Sequence, residues 1–279
     1  FHEITKTAIL DALKNPRQID MYRVNAQQAR RLLDRIVGYK LSPLLSSKIQ
    51  KGLSAGRVQS SALKIIVDRE REIRAFVPVV YYLINATFND VESELVSYKN
   101  KKIAKMDIRD KTLVQEIIDT AKAESFIVEN IEHKKRKVSP QPPFMTSTLQ
   151  QSASSQLGFS PTRTMKAAQS LYEGVSTHEG TMGVITYMRT DSLNIAKEAI
   201  DAVRKLIKER FGAPYLPKSP NVYASKAKGA QEAHEAIRPT NLGFTPEIAA
   251  KHISGDNLKL YTLIYNRFLA SQMTQAEFE

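Results

Sequence analysis

"GLSAGRVQSSALKIIVDREREIRAFVPVVYYLINATF", residues 52–88, changes hydrophobic period part-way along. Val58, Ala62, Ile65, Ile66 and Ile73, with Arg69 on the same trace, recur at helical spacing and predict a long helix beyond Gly56. After Pro78 the pattern becomes an alternation, and YYLINATF (81–88) reads as a strand. The chain therefore mixes helical blocks with a β-rich one, and the boundary falls near residue 76. Gly52 and Gly56 punctuate the turn that feeds the helix. A glycine-bearing loop opening onto a helix N-terminus offers free backbone N–H groups and the positive dipole end, and Arg57 and Gln59 are placed to add to them. This favours a phosphate, although the spacing of a P-loop is absent.

Upstream, Ile4 to Lys14 reads as a short helix ended by Asn15-Pro16. Asn25 and Gln28 form a capping-box pattern for a second helix, whose apolar face is Ala29, Leu32, Leu33, Ile36 and Val37. Leu41-Ser42-Pro43 is expected to break it. Arg23, Arg30, Arg31, Arg35 and Lys40 face a single acid, Asp34, and Arg31 and Arg35 share a face.

Downstream, residues 76–138 form the β-rich block. ELVSYKNKKIAKM (94–106) reads as a hairpin turning near Asn100, Asp110 to Ala123 as a helix, and SFIVENIE (125–132) as a strand. HKKRKVSPQPP (133–143) is a charged, proline-rich hinge, with Lys134 to Lys137 a solvated linker. From Phe144 the pattern is helical again. One helix ends at Gly158. The next starts with Ser160 as N-cap before Pro161 and stops at Gly174. Asn194 is expected to cap a helix with the face Ala196, Ala199, Ile200, Val203, Ile207 and Phe211, stopped by Gly212.

The 279 residues carry a formal net charge of +12, which favours a polyanionic partner, usually nucleic acid. There is no cysteine, so disulfides and thiolate metal sites are excluded. The longest apolar run, Ala75 to Ile84, is interrupted by Pro78 and too short to cross a bilayer. No signal peptide opens the chain, and a reducing cytoplasm is the default compartment. A start at Phe1 suggests an excised piece of something longer.

Three stretches carry candidate chemistry. In GVITYMRTDSLN (183–194) an extended segment delivers Tyr187, and Arg189 follows two residues later. A neighbouring cation favours the phenolate, and a guanidinium fork suits a phosphoryl oxygen. A tyrosine–arginine pair in a basic protein suggests a phosphotyrosine bond to nucleic acid. With eleven tyrosines in the chain, a packed Tyr187 is the competing reading. In AHEAIRPT (233–240), His234 and Glu235 start like a zinc-protease motif, but Arg238 stands where the second histidine belongs, so that reading fails. His234 is either a phosphate-side donor or a locally satisfied histidine. Asp90, Glu92 and Glu94 in DVESE read as a solvated hairpin edge rather than a metal site. His2, His133, His178 and His252 show no ligand spacing.

GVITYMRTDS resembles the active-site tyrosine motif of the type IA DNA topoisomerases. RVNAQQARRLLDRIVGYKLSPLL, LSAGRVQSSALKIIVDRERE, PPFMTSTLQQSAS with LGFSPTRTMKAAQSLYEG, and AHEAIRPT resemble further signatures of that family, in family order and over essentially the whole chain. The resemblance implies a fold that is mainly α with a β-rich arch (α+β), part of the family's central torus. It places the tail of a Toprim domain at 1–20, a helical DNA-binding domain at 21–75, the arch at 76–140, a helical gate domain with the tyrosine at 141–265, and the return into the arch at 266–279.

The resemblance also implies a reaction. Tyr187 attacks a phosphodiester of single-stranded DNA, forming a 5′-phosphotyrosine and releasing a 3′-hydroxyl. The other strand passes and the nick is resealed, relaxing negatively supercoiled DNA without ATP. Arg189 would stabilise the scissile phosphate and His234 assist it. Arg31, Arg35, Tyr39, Ser54, Arg57 and Gln59 match the single-strand binding path. Mg²⁺ would belong to the Toprim body, whose acidic D-x-D-x-E cluster this sequence does not contain, so no metal ligand is expected among these residues. A monomer in the cytoplasm, at the nucleoid, is expected, and these residues alone should bind single strands with little or no relaxation. Topoisomerase III, reverse gyrase and a non-catalytic single-stranded DNA-binding module are the alternatives.

Overall fold

The computed structural model describes residues 3–177, 180–223 and 235–279. In chain order, α1 spans Lys6–Lys14, α2 Met21–Lys48 and α3 Arg57–Ala75. The strands β1 (Asn85–Phe88), β2 (Val91–Glu94), β3 (Ser97–Tyr98) and β4 (Lys101–Lys102) lead to α4 (Lys111–Ala123) and β5 (Arg136–Val138). Then come α5 (Thr146–Leu157), α6 (Pro161–Glu173), β6 (Val175–Thr177), β7 (Gly180–Met182) and α7 (Lys197–Phe211). The chain closes with α8 (Pro246–Ala249), α9 (Gly255–Ser271) and β8 (Ala276–Phe278). Residues 1–17 and 132–279 make one compact unit, and 18–131 another.

In the unit of residues 18–131, α2 is one continuous helix. Its N-cap is Asp20, whose Oδ1 accepts from Tyr22 N and Arg23 N, so it begins before the expected Asn25 box. Pro43 lies inside it rather than breaking it; an interior proline removes one ladder bond and bends a helix without necessarily ending it. Ser42 Oγ accepts from Ala55 N at 3.0 Å and Ser46 Oγ from Gly52 N at 3.0 Å, so the second half of α2 is tied to the glycine loop through both serines. The expected apolar face of α2 exists as a pattern, but Leu32, Leu33 and Ile36 are exposed; periodicity reports an amphipathic surface, not what covers it.

The β-rich part is built from short antiparallel hairpins. β1 pairs with β2 across Asn89-Asp90, and β3 with β4 across Lys99-Asn100. All four turn residues have positive φ, the conformation that a two-residue primed turn demands. The second is the hairpin expected near Asn100. Asp110 caps α4 through its side chain, and Ile117 packs inward with Ile108. YYLINATF shortens to the four residues of β1, and SFIVENIE is not a strand. Phe126 packs its ring 4.7 Å from Phe88, but Ile127 and Val128 are exposed and no ladder forms. Strand propensity without a hydrogen-bonded neighbour does not make a strand.

In the other unit, α5, α6, α7 and α9 enclose the main core: Phe144, Leu149, Phe159, Leu171, Ile185, Val203, Ile207, Ile237, Leu260, Ile264 and Phe268. The expected punctuation is present. Gly158 ends α5 in the left-handed region, and Ser160 Oγ caps α6 by accepting from Arg163 N. Gly174 and Gly212 end α6 and α7. Asn194 does not cap α7, whose N-cap is Ala196 without a side-chain bond; Asn194 O accepts instead from Ala236 N. Part of the expected hinge is a strand, since β5 pairs with β8 from Arg136↔Phe278 to Val138↔Ala276. A hairpin of β6 and β7, not foreseen from the sequence, precedes the Tyr187 stretch.

Two contacts in this unit yield measurable consequences. A Cβ on Gly183 would lie 2.4 Å from Tyr172 O, so Gly183→Ala is expected to cost about 1–3 kcal/mol by overpacking, read as a lower urea midpoint. Arg163 grips Asp256 with two bonds of 2.6 and 2.7 Å, joining α6 to α9. The hydrogen bonds from Arg163 hold the Asp256 carboxyl below its ordinary value of 3.8. A carboxylate with a depressed folded pKa stabilises above that ordinary value and loses its contribution as pH falls through the folded one. Asp256→Asn should therefore lower the melting temperature at neutral pH, with the difference shrinking in acid below 3.8.

Candidate active site and nucleic-acid interface

The GVITYMRT stretch is held on both sides by backbone and threonine hydrogen bonds. Thr186 N donates to Arg238 O at 2.9 Å, and Arg238 N donates to Thr186 Oγ1 at 2.9 Å. Thr186 Oγ1 donates to Ala236 O at 2.7 Å, and Thr240 N donates to Val184 O at 3.0 Å. Residues 236–240 thus run antiparallel beside the tyrosine segment, with an Ile185↔Pro239 bridge. Val184 N donates to Leu171 O and Gly183 N to Ile4 O, fixing the near end to α6 and to the N-terminal segment. At the far end, Thr146 at the start of α5 grips both flanks of Arg189. Its Oγ1 donates to Met188 O at 2.7 Å and accepts from Thr190 N at 2.9 Å.

The segment is buried through Thr186 and alternates in exposure only from there on. Ile185, Thr186, Met188 and Thr190 are buried, Tyr187 is half-buried, and Arg189 is exposed. The Tyr187 ring meets Tyr172 of α6 edge-on, with centroids 5.2 Å apart. Burial, then the neighbouring Tyr187, raises the Tyr172 phenol above its ordinary value. A phenol is thus mounted on rigid backbone with a guanidinium two residues away, and among the described residues no carboxylate lies within 4 Å of Arg189. His234 lies outside the described residues.

Sequence reading singled out Arg238 only as the residue that rules out zinc. The fold buries it. Its guanidinium meets Glu235 at 2.7 Å and Glu3 at 3.4 Å, and Nη1 donates to Pro239 O. Tyr172 carried no signal in the sequence, because its role is a contact made in space.

In the other unit the basic face of α2 lines an open groove of about 700 Å³, with Arg30, Arg31, Asp34, Arg35 and Tyr39 along it. Tyr39 is 75% exposed, available for stacking. Arg57, at the start of α3, donates from Nε to Asp34 Oδ1 at 2.8 Å. That hydrogen bond lowers the Asp34 pKa and raises that of Arg57. Gln59 Nε2 donates to Ser54 Oγ at 3.4 Å. The fold therefore gathers Arg31, Arg35, Tyr39, Ser54, Arg57 and Gln59 onto α2, the glycine loop and the first turn of α3. Asp34 is the addition that spacing alone did not reveal as a partner. Among the described residues no three histidine, aspartate or glutamate side chains are grouped to hold a metal. Asp90 sits in the β1–β2 turn, while Glu92 and Glu94 pair across the ladder with Thr87 and Asn85.

Residues 18–279 match the family described as DNA topoisomerase. The chain belongs to the DNA topoisomerase family. It is 66% identical over 277 residues to DNA topoisomerase 1 of Campylobacter jejuni, covering 99% of this chain and 40% of that protein. It is 60% identical to DNA topoisomerase 1 of Helicobacter pylori strain J99, covering 100% of this chain and 38% of that protein. The solved full-length topoisomerase I of Thermotoga maritima superposes with a TM-score of 0.77 at 47% identity, over 99% of this chain and 44% of that one. The chain thus spans about two fifths of the length of these DNA topoisomerases. It is a type IA member, and its fold is the helix-dominated α+β arrangement expected from the motifs. Among the described residues no helix is long and apolar enough to cross a membrane.

The α2 groove is testable as a single-strand interface. Arg31→Ala and Arg35→Ala should each lower the slope of log affinity for single-stranded DNA against log salt by about 0.7. Tyr39→Ala should cost about 1–3 kcal/mol of binding, and Tyr39→Phe little, because stacking needs the ring. Fluorescence anisotropy on a labelled oligonucleotide across a salt series reads both.

Proposed function

We propose that the protein carrying this chain cleaves and reseals one strand of DNA through Tyr187. The observation that carries the reading is the rigid mounting of a half-buried phenol two residues from an exposed guanidinium with no carboxylate within 4 Å among the described residues, in a member of the DNA topoisomerase family. The Tyr187 oxygen attacks the phosphorus of a phosphodiester. A phosphorus–tyrosine oxygen bond forms at the 5′ side as the phenol gives up its proton, the bond to the 3′ oxygen breaks, and that oxygen takes up a proton and leaves as a hydroxyl, so the proton count is unchanged. Arg189 neutralises charge on the non-bridging oxygens, as phosphoryl transfer requires, and His234 assists. In the reverse step the 3′-hydroxyl attacks the phosphotyrosine and restores the strand. Since one ester replaces another of similar energy, no ATP is consumed.

The basic α2 groove and the Arg57 turn hold the single strand, so negatively supercoiled DNA, which opens readily, is the preferred substrate. Mg²⁺ would be supplied by the part of the protein outside this chain. The described residues bring together no set of ligands for it, and no step here is routed through it. The chain by itself should bind single strands and relax little or nothing, and the protein should act as a monomer at the nucleoid of the cytoplasm.

Tyr187→Phe in the whole protein is the deciding experiment. Relaxation and the covalent adduct should both vanish while single-strand binding persists. An adduct that survives removes Tyr187 as nucleophile, and an adduct with the label on a 3′-phosphate instead of a 5′-phosphate overturns the reaction class.

A further inference from the structure

Tyr187 and the α2 groove leave a second cationic surface unused. The end of α5 and the outer face of α9 enclose an open groove of about 360 Å³, lined by Gln156, Leu157, Lys259, Leu263, Asn266 and Arg267. The inner face of the same helix, with Leu260, Tyr261, Ile264 and Phe268, is buried in the core. The groove-lining residues therefore sit on a helix that cannot turn.

Arg267 is the informative residue. Its guanidinium stacks 4.6 Å over the fully buried Phe144 ring and donates to Gln141 Oε1 at 3.3 Å. Burial lowers its pKa. Among the described residues, no carboxylate lies within 4 Å of Arg267 or of Lys259. A partly desolvated cation with no counter-charge is costly, and an anionic ligand would relieve that cost. Arg267 and Lys259 are eight residues apart on α9, or about 12 Å along its axis. A ligand with repeated negative charge meets both cations without drawing the two side chains together.

We propose that this groove binds the phosphodiester backbone of a second stretch of single-stranded DNA. The planar guanidinium and the lysine take phosphates. Leu157 and Leu263 offer an apolar floor to sugar and base, and the two amides reach base edges. An acidic peptide could also meet the cations and the amides; membership in the DNA topoisomerase family favours the phosphodiester, and polyglutamate competition separates the two. The Tyr187 stretch is anchored to Thr146 at the start of α5; the Gln156 end of the groove is ten residues further on, about 15 Å along the helix, while its Arg267 end, over Phe144, is the nearer one.

The experiment is photo-cross-linking of the intact protein to an oligothymidylate carrying 4-thiothymine, with peptide mapping. Adducts are expected on the end of α5 and on α9. Unlabelled single-stranded DNA should compete them, and polyglutamate should not. Lys259→Glu, an exposed change that spares the core, should reduce those adducts about three- to fivefold, on the scale of one exposed charge contact, without touching adducts on α2. Arg267→Met, which keeps the contact with Phe144, should reduce them at least as much. Tyr187→Phe should leave them unchanged, so this site and the proposed chemistry fail separately. Absence of adducts on these helices, indifference to Lys259→Glu, or equal competition by polyglutamate overturns the proposal.

Discussion

Everything near the candidate tyrosine depends on the reciprocal pairing of Thr186 with Arg238. Thr186 gives its N–H to the Arg238 carbonyl, and its hydroxyl oxygen receives the Arg238 N–H while donating to Ala236 O. Thr186 is buried, so each of these bonds is made away from water, where leaving one unmade costs more than making it gains. A short segment with one isolated bridge becomes as fixed as a strand in a sheet. The fixed backbone then decides which side chains are free to act. Ile185, Thr186 and Met188 go to the core, Tyr187 to its edge, and Arg189 to solvent.

The same pairing explains the buried charge beside it. Arg238 stands at 8% exposure with Glu235 and Glu3 on its guanidinium. Such a cluster adds little net stability over an apolar packing of similar shape, but removing one partner is costly. Its value here is geometric. It joins the N-terminal segment, through Glu3, to the extended segment that carries Glu235 and Arg238. Ile4 O receives the Gly183 N–H, so two successive residues of the N-terminal segment hold the Arg238 guanidinium and the tyrosine stretch respectively. Gly183 permits that approach because a side chain there would strike Tyr172 O.

Much of the helical punctuation was legible because it is local chemistry. Ser160-Pro161, Gly158, Gly174 and Gly212 mark ends through their own backbone preferences, and the Lys99-Asn100 turn follows from residues that tolerate positive φ. Errors arose where a distant partner decides. Asp20 out-competed Asn25 as a cap, Pro43 was absorbed within a helix, and SFIVENIE found no neighbour to pair with. The site shows the same division. Tyr187 and Arg189 are neighbours in sequence and could be read there, as could the basic face of α2. Tyr172 against Tyr187, Arg57 on Asp34, and the reciprocal bond of Arg238 all join residues far apart in the chain, and spacing carries no trace of them.

The Asp34–Arg57 pair has a consequence for how the α2 groove works. A carboxylate among Arg30, Arg31 and Arg35 lowers the positive potential of the groove, yet it also holds Arg57 at the mouth of the glycine loop. Both partners are well exposed, so the bond is weak and screened by salt. On the proposed reading, a phosphate arriving at Arg57 would exchange one oxygen anion for another and leave Asp34 to the coulombic influence of Arg30. The exchange would be one of partners, with no proton moved, and the net grip would stay modest because each contact replaces an interaction already present.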